Sequence, residues 1–414
     1  MRKMELDVGA LTTLLRPALP VFLFLVLAPL ALLCGSALVC ACMLPRMRVA
    51  RSEKSAEEKL FGAESAAPLA QKLKNFREIT TLYYDVSTPF YLQMWGDALH
   101  FAPRHGDESW LESMRRHEHY LALRLGLRPG DAVLDVGCGI GGPARSVARF
   151  SGAAVTGLNI SALQCGLARE LNGRYGVPAE GRGSVRIVEG DFTRMPLPDA
   201  AFEGAFAVEA TCHAPDRTEV FAEAFRVLKP GAKFAIYEWA MTPEFDAANA
   251  LHAEDKLNIE VGNGIALLGT EAPIVEALQR AGFAVDEVED KALSSQVEWF
   301  LPTKGEFPFT VKSWKNSTVG FVVLFLALWF QHLIGSIDHT VFKGLHAMTR
   351  GPIGLVRAAE KGIFTPMLFL LATKPADGKK APAPVRSAAS AAPSAAAAKG
   401  GAKARRGSSA VKRS

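Results

Sequence analysis

Between Leu121 and Ala240 short apolar runs alternate with amphipathic stretches, and that alternation leaves few folds open. "DAVLDVG", "AAVTGLN", "VRIVEGDF", "FEGAFAVEA" and "AKFAIYEWA" read as buried strands. "GGPARSVARF", "SALQCGLARELNGRYG" and "RTEVFAEAFRVLKPG" read as helices, the last closed by Pro-Gly. Strands separated by helices cannot pair as hairpins, so the expected core is α/β: a doubly wound, mostly parallel, Rossmann-like sheet. Ligands of such sheets bind beyond the C-terminal ends of the strands.

The first strand runs into "LDVGCGIGG", where Gly137, Gly139 and Gly142 satisfy a GxGxxG spacing. That spacing alone is a weak dinucleotide signal. Two neighbours argue against a nicotinamide cofactor. Asp135 precedes the loop and suits an ammonium better than a pyrophosphate. Twenty-four residues on, where an acidic residue would hold the ribose of NAD, stands Asn159. S-adenosylmethionine, with a cationic amino-acid end, a ribose and an adenine, fits this acid-plus-glycine arrangement. Pro143 suits a first helical turn, whose N-terminus favours a carboxylate. After the third strand, Asp191 can accept from an adenine amino group and Phe192 can stack on the base.

"EATCHAP" closes the fourth strand and groups Glu209, Cys212 and His213. No further cysteine or histidine stands at ligand spacing, so no metal site is expected. Cys212 reads as a small buried residue. Glu209 and His213 are candidates for proton removal or hydrogen-bond anchoring, with His100 and Glu238 as the others.

Outside the core the texture changes. Pro17 to Leu44 is 28 residues without a charge, longer than the roughly 20 that span a bilayer. The basic "PRMRVARSEK" that follows favours the cytosolic side. The chain therefore divides into a short leader (1–16), a single-pass anchor (17–44), a tether (45–70), an aromatic cap (71–120), the core (121–295), a C-terminal extension (296–375) and a tail (376–414). In the extension, the dozen apolar residues Val319 to Phe330 are too few to span, and read as a buried or interfacial helix. Nine of the 47 basic residues and one of the 42 acids lie in 376–414, so the tail is +8 and the remainder −3. The tail has no aromatic residue and cannot build a core; it reads as solvated, with attraction to anionic headgroups as the sharper alternative. The six cysteines form no CxxC pair, which fits a reduced, cytosol-facing chain.

"YYDVSTPFYLQMWGDALHFAPR", the glycine loop, "EATCHAP", "RVLKPG", "YEWAMT" and "GIFTPMLFLLATKP" resemble the sterol 24-C-methyltransferase family in content and order, over about residues 75–375. The resemblance implies methyl transfer from S-adenosylmethionine to the side-chain double bond (C-24) of a sterol, at or near the endoplasmic reticulum. It puts Asp135, Gly137, Gly139, Asn159, Asp191 and Phe192 on the donor site, with Tyr84, Gly141 and Gln164 added as candidates. Two family motifs depart: Tyr91-Leu92-Gln93-Met94-Trp95-Gly96 stands for Tyr-Glu-Tyr-Gly-Trp-Gly, and "VGNGIALLG" lacks the family's Leu-Pro and Arg. Close relatives in the superfamily methylate squalene-like triterpenes, and a triterpene or a prenylquinol is the alternative acceptor. A non-catalytic membrane protein retaining the fold is the rival from another class.

Attack by an alkene on a sulfonium methyl leaves a carbocation. Aromatic faces stabilise cations without quenching them, by up to about 2 kcal/mol each when desolvated. Tyr83, Phe90, Tyr91, Trp95, Phe101 and Tyr237 are the expected faces of the acceptor site. Expected partners are a sterol or triterpenoid lipid and a membrane, with no nucleic acid; self-association is left open.

Overall fold

The computed structural model describes residues 75–304 and 350–377, with Trp329 and Leu333 as further helical positions. The expected anchor and tether, Val319–Phe330 apart from Trp329, and the tail from residue 378 lie outside the described residues. Among the described residues no helix is long and apolar enough to cross a membrane.

Two helices, α1 (Phe76–Met94) and α2 (Trp110–Leu125), precede the sheet. Ser109 and Glu112 close a capping box at the start of α2, and Gly126 ends it in the left-handed conformation. There follow β1 (Ala132–Val136), α3 (Gly142–Ser151), β2 (Ala154–Asn159), α4 (Ala162–Arg174), β3 (Val185–Glu189), β4 (Phe202–Val208), α5 (Arg217–Val227) and β5 (Leu228–Met241). Then come α6 (Ala250–Gly262), α7 (Glu271–Ala281), β6 (Ala284–Asp290), α8 (Arg350–Glu360) and β7 (Phe364–Thr373).

The strands form one sheet in the order β3-β2-β1-β4-β5-β7-β6. The five strands from β3 to β5 are parallel. β7 slots between β5 and β6, antiparallel to both. Strand order reverses between β1 and β4, so the crevice of this sheet opens beyond the ends of those two strands.

The alternating pattern breaks after about residue 296, yet the chain returns to the sheet at Phe364. Nine of the ten β7 residues are buried, as expected for a strand covered on both faces. Leu368, Leu370 and Ala372 join the layer that holds α5 and α7, while Phe369 and Leu371 join the layer beneath α2, α3 and α4. Each Leu or Phe so buried contributes about 1.5–3 kcal/mol.

The link between α1 and α2 is pressed onto the start of α3. A Cβ at Gly142 would lie 1.9 Å from the Asp97 carbonyl oxygen, so only glycine admits this crossing. Arg145 Nη2 fastens it through the Asp97 carboxylate at 3.0 Å. This fixes α1 over the crevice.

Candidate active site

A cavity of about 850 Å³, open mouth included, lies at the β1/β4 switch point. Its floor is the turn after β1. Gly137 takes φ +80, and a Cβ there would come within 2.5 Å of Ala210 Cβ. Only glycine lets the turn lie flat beneath the "EATCHAP" strand end.

Asp135 points into this cavity and is 1% exposed. Its Oδ2 has no hydrogen-bond partner among the described residues. Burial, with the Glu118 charge adding to it and His100 offsetting part, holds the carboxyl well above the usual range. A buried, unpartnered carboxylate destabilises a fold on its own. It is the acceptor that an incoming ammonium would need.

On one side the cavity is lined by Asn159 and Gln164, joined by Asn159 Nδ2 donating to Gln164 Oε1 at 2.7 Å. Gln164 Nε2 in turn reaches Thr88 Oγ1 on α1 at 2.9 Å. Asp191 and Phe192 close the far end. Asp191 is already engaged: Arg77 of α1 bonds its Oδ2, and Thr193 N–H donates to its Oδ1 at 2.8 Å.

The opposite wall holds His100, Glu209 and His213, with Tyr84 descending from α1. Glu209 adopts φ +51, unusual for a residue with a Cβ. That conformation turns its carboxylate inward, where the Phe101 N–H and the Trp239 indole N–H each donate to one oxygen at 2.7 Å. Burial pushes the carboxyl up to about 8, against the opposing pull of His100, Trp239 and Phe101. His100 lies with Nδ1 at 2.7 Å from the Phe101 carbonyl and Nε2 at 3.0 Å from Glu118 Oε1. Burial alone would lower this imidazole, but the Glu118 bond and charge outweigh it and hold it above its ordinary value. His213 places Nε2 at 2.8 Å from the Tyr84 hydroxyl and Nδ1 at 3.3 Å from the Gly264 carbonyl. Its imidazole is lowered to about 4, chiefly by burial.

The elevated Glu209 carboxyl gives stability a specific pH dependence. Its folded value of about 8 exceeds an unfolded value of about 4.3. Its contribution is therefore fully present below about pH 4.3 and is lost as pH rises towards 8. Melting temperatures without ligand should fall across pH 5–8.5. Glu209→Gln should melt lower, because an amide cannot serve both N–H donors, but with a flatter curve; parallel curves would refute the assignment.

The cavity thus gathers Tyr84, His100, Asp135, Gly137, Gly139, Asn159, Gln164, Asp191, Phe192, Glu209 and His213. The other candidates are placed elsewhere. Gly141 caps α3 with φ +79 and packs on Arg145. Glu238 is fully buried, bonded by the Thr211 hydroxyl and by Arg217 Nε at 3.2 Å, so it is a structural anchor of the strand end. Tyr237, on the opposite pleat, stacks on His117 with ring centres 3.5 Å apart and donates to the His117 carbonyl. Trp95 and Phe101 meet edge to face and join Trp239, Trp299 and Phe364 in a separate aromatic cluster. Tyr83 and Tyr91 pair through their hydroxyls behind Tyr84. The side chain of Phe90 lies outside the described part of α1. Arg77, Thr80, Asp97 and Leu99 also line the cavity. Arg77 and Thr80 stand outside every quoted motif and are brought there by the folding back of α1, while Asp97 and Leu99 come from the link that follows it, within the aromatic motif.

These residues fit S-adenosylmethionine. The orphaned Asp135 oxygen suits its ammonium, and the N-terminal amides of α3 suit its carboxylate.

The family model described as a methyltransferase domain matches residues 134–236, and the sterol methyltransferase C-terminal model matches residues 311–376. A mycolic acid cyclopropane synthase complexed with SAH and CTAB shares the fold with a TM-score of 0.55 at 17% identity, covering 72% of this chain and 98% of that one. Haemonchus contortus phosphoethanolamine N-methyltransferase 2, in complex with S-adenosyl-L-methionine, gives 0.50 at 19% identity over 72% of this chain and 60% of that one. Sheet order, glycine turn and cavity define a class I, S-adenosylmethionine-dependent methyltransferase. Within that class the relatives are specific. The cycloartenol-C-24-methyltransferase of Arabidopsis thaliana is 42% identical over 305 residues, 74% of this chain and 89% of that protein. The sterol 24-C-methyltransferase of Saccharomyces cerevisiae is 36% identical over 333 residues, 78% and 82% of the two chains. The chain belongs to the sterol 24-C-methyltransferase family.

Proposed function

We infer that the protein is a C-methyltransferase that carries a methyl group from S-adenosylmethionine to the side-chain double bond of a sterol. The observation that carries this reading is a single cavity holding the unpartnered Asp135 carboxylate at one end of the wall and the Glu209, His213 and Tyr84 groups at the other. Bound there, the donor supplies an electrophilic methyl on a cationic sulfur. Asp135 would hold its amino group, Gly137 and Gly139 would let its backbone settle against the turn, and Phe192 would stack on its base. Asn159 and Gln164 lie where a ribose would be bonded. Glu209 places in the wall a carboxyl whose ionised form a developing cation would favour, and the phenol of Tyr84 adds an aromatic face. Asp191, which Arg77 already holds, would serve the base only after that ion pair loosens.

We also propose a membrane attachment through residues 17–44, supported by their length without charge, with the catalytic body on the cytosolic side of the endoplasmic reticulum.

The deciding experiment supplies the purified full chain with labelled donor and a panel of a Δ24-sterol, squalene and a prenylquinol. Label should enter the sterol alone, at C-24. Label in squalene or the prenylquinol, with none in the sterol, would replace this reading.

A further inference from the structure

We propose that the Tyr84 hydroxyl takes the proton lost by the methylated acceptor and passes its own proton to Nε2 of His213. This rests on the reading that the acceptor is an alkene methylated through a carbocation.

Hydrogen-bond accounting selects this pair. Both ring nitrogens of His100 face acceptors, the Phe101 carbonyl and Glu118, so neither keeps a free lone pair. Both Glu209 oxygens already accept an N–H donor, one from the Phe101 backbone and one from the Trp239 indole. Asp97 is bonded to Arg145, and Asp191 to Arg77. At His213 the situation is reversed. Its Nδ1 faces a carbonyl, which can only accept, so Nδ1 carries the hydrogen and Nε2 carries the lone pair. That lone pair accepts from Tyr84 at 2.8 Å. The Gly264 carbonyl is itself held in place, since the glycine lies against the Tyr83 ring where a Cβ would come within 2.8 Å of Cγ.

The two protonation states suit the task. Burial, with Cys212, Tyr91 and Glu209 adding to it, keeps the Tyr84 phenol well above its ordinary value, so it is never a phenolate. A neutral phenol that only accepted a proton would become a doubly protonated oxygen; handing one on to His213 avoids that. Burial, and after it the opposing Gly264 bond and the Arg217 charge, leave His213 neutral at physiological pH. A C–H bond beside a carbocation is a far stronger acid than this imidazolium, so the transfer runs downhill.

In the step, the electrons of the C–H bond become the new C=C bond and the proton joins Tyr84 Oη. The former Tyr84 O–H bond breaks, and its proton joins His213 Nε2, leaving an imidazolium. The positive charge moves from the acceptor to His213. Once product leaves and water fills the cavity, the proton returns to solvent through the same hydroxyl. Tyr84 is the catalytic residue, and His213 acts through it.

The test compares wild type, Tyr84→Phe and His213→Ala with labelled donor and a sterol acceptor, reading rate and alkene products by mass spectrometry. Both variants should bind donor within about threefold of wild type, lose roughly 10²–10⁴ in turnover, and yield mixed alkene isomers as protons leave from other adjacent carbons. Added imidazole should restore His213→Ala and not Tyr84→Phe. In the unliganded protein, nitrogen NMR at pH 7 should show His213 neutral and protonated at Nδ1, with the Nε2 resonance displaced in Tyr84→Phe. Wild-type rates and a single product in both variants would overturn the relay. So would a more than tenfold loss of donor affinity in both, which would make the pair part of the donor site. A wild-type enzyme that methylates no alkene would instead remove the functional reading and the relay with it.

Discussion

Replacing Asp135 by Asn should weaken S-adenosylmethionine binding by about 1.5–3 kcal/mol, the usual size of a hydrogen bond to a charged group, or roughly 10- to 150-fold. The unliganded protein should respond in the opposite direction. Because burial holds the carboxyl well above the usual range, the stability it lends at low pH is lost as pH rises, and a neutral amide of the same shape carries no such dependence. The apo variant should therefore melt at or above the wild-type temperature, while donor should raise the melting temperature of wild type far more than that of the variant. Calorimetry with unchanged donor affinity would overturn the assignment of Asp135. Lower stability of the apo variant would show that the carboxylate has a partner within the protein.

An acceptor analogue bearing a protonated amine at the reacting carbon should inhibit at least ~100-fold more strongly than a neutral analogue of equal size, since it imitates the cation and gains what the transition state gains. We assign that preference to the Glu209 carboxyl of the wall, which ionises more readily beside a cation. Glu209→Gln should reduce the ratio by about tenfold or more while leaving the neutral analogue little changed. Inhibition constants for both compounds against both proteins decide the matter. Equal inhibition of wild type by the two analogues would refute a carbocation. An unaltered ratio in Glu209→Gln would move the stabilising charge elsewhere.

Much of the core could be read from the chain because β1 to β5 are buried apolar runs separated by helical spacing, and the turn at Gly137 needs glycine for steric reasons visible in the motif. β6 was not legible. Its segment "AVDEVED" carries four acids along an edge strand, where one side faces solvent and charge is tolerated. The placement of β7 was hidden for another reason: no local pattern records that a strand will be inserted between two earlier ones. In the site, Asp135, Asn159 and Glu209 could be found because each stands within one residue of a strand's C-terminal end, where side chains meet the crevice. Tyr237 and Glu238 precede such an end by several residues, and the pleat buries both in the sheet. Arg77 and Thr80 could not be found at all, since their role depends on α1 lying across the cavity more than fifty residues before the glycine loop.

The late arrival of β7 bears on how the chain is made. During synthesis β5 and β6 exist long before Phe364 is added, and each then presents an open edge of unpaired amides and carbonyls, the kind that recruits foreign strands. The Rossmann half can begin to collapse early, but closure awaits contacts of long sequence separation, which slow folding. Between those moments the nascent protein carries a gap one strand wide at the heart of its C-terminal half. A premature stop between Asp290 and Ile363 would make that gap permanent, producing an aggregating fragment even though every donor-site residue had already been translated.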